Sequence, residues 1–190
     1  WRNWFYLGFN QFYYLDETEK ASRTLSTASQ LPGAPAYLSR LVARLRAESG
    51  RLDVAHALLL EMLNEAEDEE IQVGYLSALS EIEIERRARV LDSARESFRE
   101  IHGRDIRSVD ELVAQPEPIL PGLPEADPSG VLPRSGTVSS WLIDAETDRI
   151  VSSYYGRRYR VNFSPDRALR VQEWKDSPGS VMQTPSGEGE

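Results

Sequence analysis

Part of this 190-residue chain repeats itself at an offset of 34 residues, and that spacing constrains the fold more than any other feature. Ala21, Leu25 and Ala28 align with Ala55, Leu59 and Met62, and Trp4 and Leu7 align with Leu38 and Leu41. A repeat of this length holds one helix-turn-helix unit, which cannot cover its apolar face alone and must stack on a neighbour. Stacked helical hairpins act mostly by holding another molecule. The repeat therefore points to binding or scaffolding before any catalytic residue is considered.

The breaks between helices follow from local chemistry. Asp16 and Glu19 have the spacing of a capping box and predict a second helix ending near Leu31, where Pro32-Gly33 stops it. Pro35 suits the first turn of a third helix, which runs to about Ser49 and closes on Gly50. A fourth follows from Leu52 to about Asn64, with Ala55, Leu59 and Met62 inward. From Glu69 to about Ile101 apolar residues recur at helical spacing, which predicts one long helix, or two nearly continuous ones, capping the stack. A second step of the repeat carries Ala21 onto Arg89, so the repeat has decayed there. Ser108 and Glu111 predict a cap for a short helix, SVDELV.

Around Gln115 the pattern changes. Residues 115–136 hold six prolines and three glycines, a composition that excludes regular structure and reads as a linker. TVSSWLID and RIVSSYY have strand character about a turn at Ala145 to Asp148, and RRYRVNF suits a third short strand. The predicted fold is mainly α: stacked antiparallel helical hairpins with a long capping helix and a small C-terminal β-hairpin. Its segments are a helical stack over 1–114, a linker over 115–136, a β appendage over 137–163 and an extended tail over 164–190.

Composition excludes several function classes. A net charge of −9 argues against nucleic acid, whose phosphates need a basic surface. With no cysteine there is neither a disulfide framework nor thiolate chemistry. His56 lies on an amphipathic helix and reads as structural or solvent-facing, His102 with Arg104 and Asp105 matches the kinase catalytic trio by letters alone, and no Gly-rich phosphate loop or nucleophile elbow occurs. Glu81, Glu83 and Glu85 alternate along one helix and read as a solvated face with Arg86 and Arg87, while the run Glu67 to Glu70 lacks the ligand spacing of a calcium loop. No residue dictates a cofactor or a metal, and the chain reads as non-enzymatic.

Two constellations remain as candidate sites. Residues 1–15 are apolar almost all the way round, a pattern that belongs to a helix covered on both sides. Either its second flank packs on an upstream repeat absent from this chain, or Trp1, Phe5, Phe9, Phe12 and Tyr13 form a docking surface for a protein partner or the membrane interface. The other constellation is Tyr154, Tyr155, Arg157, Arg158, Tyr159 and Arg160. Through Tyr155, Arg157, Arg158 and Arg160 it would suit a carboxylate, a phosphate or a lipid headgroup. The alternative is that these arginines cover the acidic helices.

The first hairpin resembles the tetratricopeptide repeat through Trp4, Leu7-Gly8, Ala21, Leu25, Ala28 and Pro32, with the alanine one position later than usual from Trp4. The resemblance covers about residues 1–66. It implies that Gly8, Ala21 and Ala28 let two helices approach while Trp4 and Leu25 fill the space between them. Repeats of this family that clamp a peptide carboxylate carry Lys and Asn at the fifth and ninth positions. Here Phe5 and Phe9, then Ser39 and Ala43, stand there, so an apolar segment is the expected ligand. WRNWFYLGFNQFYYL, ASQLPGAPAYLSRLVARL, HGRDIRSVDELV and WLIDAETDRIVSS together resemble bacterial envelope-anchored tetratricopeptide proteins, and Asp127-Pro128-Ser129-Gly130 is similar to a pseudopilin C-terminus. That likeness implies an envelope location, favouring the periplasmic side, and protein subunits of a membrane complex as partners. It also implies an N-terminal anchor and upstream repeats, which would explain a chain that starts at Trp1.

Overall fold

The computed structural model describes residues 1–161 except Gln115, Arg134, Ser135 and Thr137. The tail expected over 164–190, and Asn162 and Phe163 of the expected third strand, lie outside the described residues. The elements are α1 (Arg2–Tyr13), α2 (Thr18–Ser29), α3 (Tyr37–Glu48), α4 (Leu52–Glu65), α5 (Glu69–His102), a 3-10 helix (Val109–Val113), β1 (Trp141–Ile143) and β2 (Ile150–Ser152). The fold is mainly helical, with α1 packed on α2, α4 packed on α5 and a small two-stranded antiparallel hairpin. Two compact units divide it, one of residues 1–45 with Val161 and one of residues 46–160.

In the first unit α1 packs on α2. Gly8, Ala21, Leu25 and Ala28 are buried, and the absence of a side chain at Gly8 is what sets the approach. A Cβ at Gly8 would lie 2.6 Å from Leu25 Cγ, inside van der Waals contact. Trp4 does not fill this interface as the repeat pattern implied. It sits one turn before Gly8 on the same stripe and stays 45% exposed. The Asp16 cap also fails. Asp16 takes a left-handed turn, φ 58°, out of α1, and the first residue of α2's cap is Glu17, which makes no side-chain capping bond. A capping oxygen must come from the residue flanking the helix, and Asp16 is one position too early.

In the second unit α5 is a single helix of 34 residues, and it is the element on which everything else in the unit rests. Asp68 opens it by accepting a hydrogen bond from Ile71 N at 3.0 Å, and Gly103 closes it at φ 66°, a conformation that favours glycine. At about 1.5 Å per residue it is on the order of 50 Å long. It packs on α4 and, elsewhere, on β2 and the 3-10 helix. Ile84, Leu91 and Phe98 of α5 meet Leu112, Trp141 and Ile150 in one apolar cluster. Glu111, not Ser108, completes the start of the 3-10 helix, accepting from Arg107 N at 2.9 Å.

The Pro-rich segment carries no helix or strand among its described residues, yet it lies against this core. Ile119, Leu120 and Leu123 pack on the apolar cluster, and Arg87 of α5 donates to the carbonyls of Glu125 (3.0 Å), Asp127 (2.8 Å) and Ser129 (3.1 Å). In the hairpin Trp141 pairs with Ser152, Leu142 with Val151 and Ile143 with Ile150. Asp144 closes the turn by accepting from Thr147 N at 3.0 Å and from its hydroxyl. Residues 157–161 form no third strand.

Gly8→Ala gains about 1 kcal/mol of helix propensity but forces a methyl into Leu25, an overpacking that typically costs about 1–3 kcal/mol. The expected result is a net loss of stability in the first unit. Native-state hydrogen exchange of α1 and α2 amides would show it as faster opening; unchanged protection would mean that the helices part without cost.

Candidate functional site

The α1 sequence places aromatic residues four apart, so their rings stack along one side of the helix. Ring centroids are 6.2 Å apart for Trp1–Phe5, 6.0 Å for Phe5–Phe9 and 5.2 Å for Phe9–Tyr13. Only part of this ladder can meet a partner. Phe12 and Tyr13, included in the expected docking set, are buried inside the unit, because α1 turns Gly8, Gln11 and Phe12 into its packed interior. They hold the helix in place. Trp1, Phe5 and Phe9 are half-buried. Phe5 and Phe9 with Tyr37 and Leu41 line a groove of about 320 Å³, whose charged lining is Arg40 and Arg44. Away from the groove Trp4, Tyr6 and Leu7 are exposed, at 45%, 62% and 48%. The helix is apolar on two sides, and Arg2 is its one charged residue.

The Arg-Tyr cluster of the second unit is divided by the structure. Arg158 is buried, and its guanidinium grips both carboxylate oxygens of Glu85, through Nε at 2.8 Å and Nη2 at 2.9 Å. Its Nη1 donates to Asp92 Oδ2 at 2.6 Å and to Ile150 O at 3.2 Å. With those N–H groups committed it offers no fork to an external anion. Tyr155 is half-buried, with its hydroxyl 2.6 Å from Ser80 Oγ, and burial pushes that hydroxyl above the usual phenol range. Arg157 and Arg160 are exposed. The space beside the cluster is about 10 Å³, too small for more than a single water. These arginines cover the acidic helix face, through Arg158.

Glu85 is the centre of that contact. Arg89 Nε reaches it at 3.0 Å and Tyr159 N at 3.1 Å, so two residues besides Arg158 donate to its carboxylate. Burial alone would raise its pKa, but the hydrogen bonds and charge of Arg158 outweigh that and hold the carboxyl below its usual range. A second cluster fastens the hairpin turn. Arg95 donates through Nε to Asp105 Oδ1 at 2.8 Å and through Nη1 to Asp148 O at 2.6 Å. Hydrogen bonds from Arg95, then from Arg99, keep the Asp105 carboxyl well below the ordinary carboxylate range.

Sequence reasoning read Glu85 as part of a solvated face, and it missed Arg95. Both lie on the buried stripe of α5, where Ile82, Glu85, Ala88, Leu91, Arg95 and Phe98 follow at intervals of three and four. That spacing was the available signal. His56 is partly buried and His102 lies against the Phe98 ring at 4.3 Å. Among the described residues no three His, Asp or Glu side chains converge as metal ligands, and no helix is long and apolar enough to cross a membrane. The chain matches no protein-family model, no curated protein and no solved structure.

Removing Arg158 would leave Glu85 buried without its main partner, so Arg158→Ala should cost about 3–5 kcal/mol. Because folding depresses the Glu85 pKa, its contribution is complete above the unfolded value of about 4.5 and is lost as pH falls through the folded value. Thermal melts from pH 7 to pH 3 should therefore show a steeper acid loss for the native chain than for Glu85→Gln. Parallel curves would contradict the assignment.

Proposed function

We propose that this chain is a non-enzymatic protein–protein interaction scaffold whose docking element is α1. The observation that carries the reading is the two-sided apolar surface of α1: a groove at Phe5 and Phe9 on one side, and exposed Trp4, Tyr6 and Leu7 on another. Contiguous exposed apolar surface of this kind marks an interaction site. The partner surface is an apolar segment, with an acidic residue near Arg40. A place in a bacterial envelope complex, like membership of the tetratricopeptide family, rests on the sequence resemblance. The reading in which Tyr155, Arg157, Arg158 and Arg160 bind an anion loses its central residue, because Arg158 is committed to Glu85 and Asp92.

The test is affinity isolation from the source membrane in mild detergent, with quantitative mass spectrometry of three forms of the chain. The native chain and Arg157→Glu/Arg160→Glu should retain the same stoichiometric partner set. Phe5→Ala/Phe9→Ala should retain at least tenfold less of it while its circular dichroism stays helical. A partner set untouched by the Phe substitutions, and lost on charge reversal, would replace the scaffold reading with the anionic one.

A further inference from the structure

The two edges of the hairpin differ in how the described residues use their outward backbone groups. Asp144 N donates to Arg149 O at 2.9 Å and Ser153 N to Ser140 O at 2.8 Å, which fixes the phase of the ladder. In that phase Leu142 and Val151 exchange the ladder bonds, while the N–H and C=O groups of Trp141 and Ile143 point away from β2, and those of Ile150 and Ser152 point away from β1. On the β2 side the outward carbonyls are used: Ile150 O accepts from Arg158 Nη1 at 3.2 Å and Ser152 O from Gly156 N at 2.8 Å. On the β1 side no described residue bonds to the outward groups of Trp141 or Ile143.

The β1 edge borders a groove of about 710 Å³. Ser139 to Ile143 line it together with the apolar Val109, Leu123 and Pro124 and the charged Arg107, Asp110 and Glu125. Trp141 is locked in place, its Nε1 donating to Pro124 O at 2.7 Å, so the wall is preorganised. Two independent features thus coincide: backbone groups at strand spacing that no described residue pairs, and a cleft beside them with a partly apolar lining.

We propose that the β1 edge receives an extended polypeptide segment of another protein, which adds a third strand to the sheet. The occupant must be an extended backbone, because donors and acceptors alternating along a strand edge are matched only by another strand about 4.8 Å away. The segment carries apolar side chains at alternate positions, those on the core side meeting Leu123 and Pro124, and its other side chains face water. This surface belongs to the second unit and is separate from α1, so it stands whether or not α1 is the docking helix.

Amide exchange of the full-length chain, read by NMR, tests the edge directly. In the free protein at low concentration Leu142 and Val151 amides should be protected and those of Trp141 and Ile143 should exchange at least tenfold faster. Random twelve-residue peptides displayed on phage and selected on the full chain supply the probe. A synthetic peptide from the selected set should show alternating apolar residues, slow exchange at Trp141 and Ile143, and bind at least tenfold more weakly to Ile143→Pro. If that variant is unfolded by circular dichroism, Leu123→Arg should weaken binding as much by filling the groove without touching the ladder. Trp141 and Ile143 amides already protected in the dilute free protein would show that the chain covers its own edge and would overturn the proposal. Protection that rises with protein concentration would assign the edge to a second copy and overturn it equally. So would selected peptides that bind both variants as tightly as the native chain.

Discussion

A hairpin with strands of three residues does not hold its shape in water, so the C-terminal part of the second unit depends on what α5 offers it. The central offering is the buried pair Glu85–Arg158. Two charges withdrawn from water cost several kcal/mol each, and their attraction repays this only when the remaining donors and acceptors are satisfied. Here they are. Glu85 also accepts from Arg89 and Tyr159, and Arg158 also donates to Asp92 and Ile150. Because Arg158 bonds both the helix and the backbone of β2, the pair fixes where the hairpin sits along α5. An apolar contact would hold it as strongly but would tolerate sliding.

The same device recurs for the Pro-rich segment. Proline has no N–H and cannot join a ladder, so a chain rich in it leaves carbonyls that need donors from elsewhere. Arg87 supplies three of those bonds from one side chain, and Trp141 Nε1 supplies another to Pro124. Arg95 does the corresponding work at the hairpin turn, where Asp148 sits at φ 53°. Irregular backbone is thus ordered by arginines projecting from one regular helix, with no secondary structure of its own.

Much of the helical part was legible because its signals are local. Pro32-Gly33, Gly50 and Gly103 bound helices within a few residues of where they end, and the α5 pattern extended from Glu69 without a break. The close approach at Gly8 was legible too, since Gly8, Ala21 and Ala28 share the small-residue pattern of packed helices. What failed depended on geometry between elements. Trp4 looks like an interior residue by spacing, but nothing in spacing says whether anything covers that turn. Asp16 matched a capping motif, and a positive φ moved it out of register. Glu85 and Arg158 are 73 residues apart; that the arginines cover the acidic helices was one of two alternatives the sequence offered, and only the buried stripe of α5 singles out Glu85 as the partner.

The contrast between the two units bears on function. The second unit spends its arginines and carboxylates on itself, and the space left beside Arg158 admits no ligand larger than water. The first unit does the opposite on α1, where one charged residue in twelve leaves large aromatic side chains facing outward. Fully burying a side chain of this size is worth roughly 1.5–3 kcal/mol, so an uncovered Trp4, Tyr6 and Leu7 forgo a sizeable part of that each. A solvated helix would gain by carrying Glu or Lys at the most exposed of these positions, Tyr6. Retaining Trp, Tyr and Leu there makes physical sense if another surface covers them, and the groove arginine Arg40 then biases which surfaces can approach.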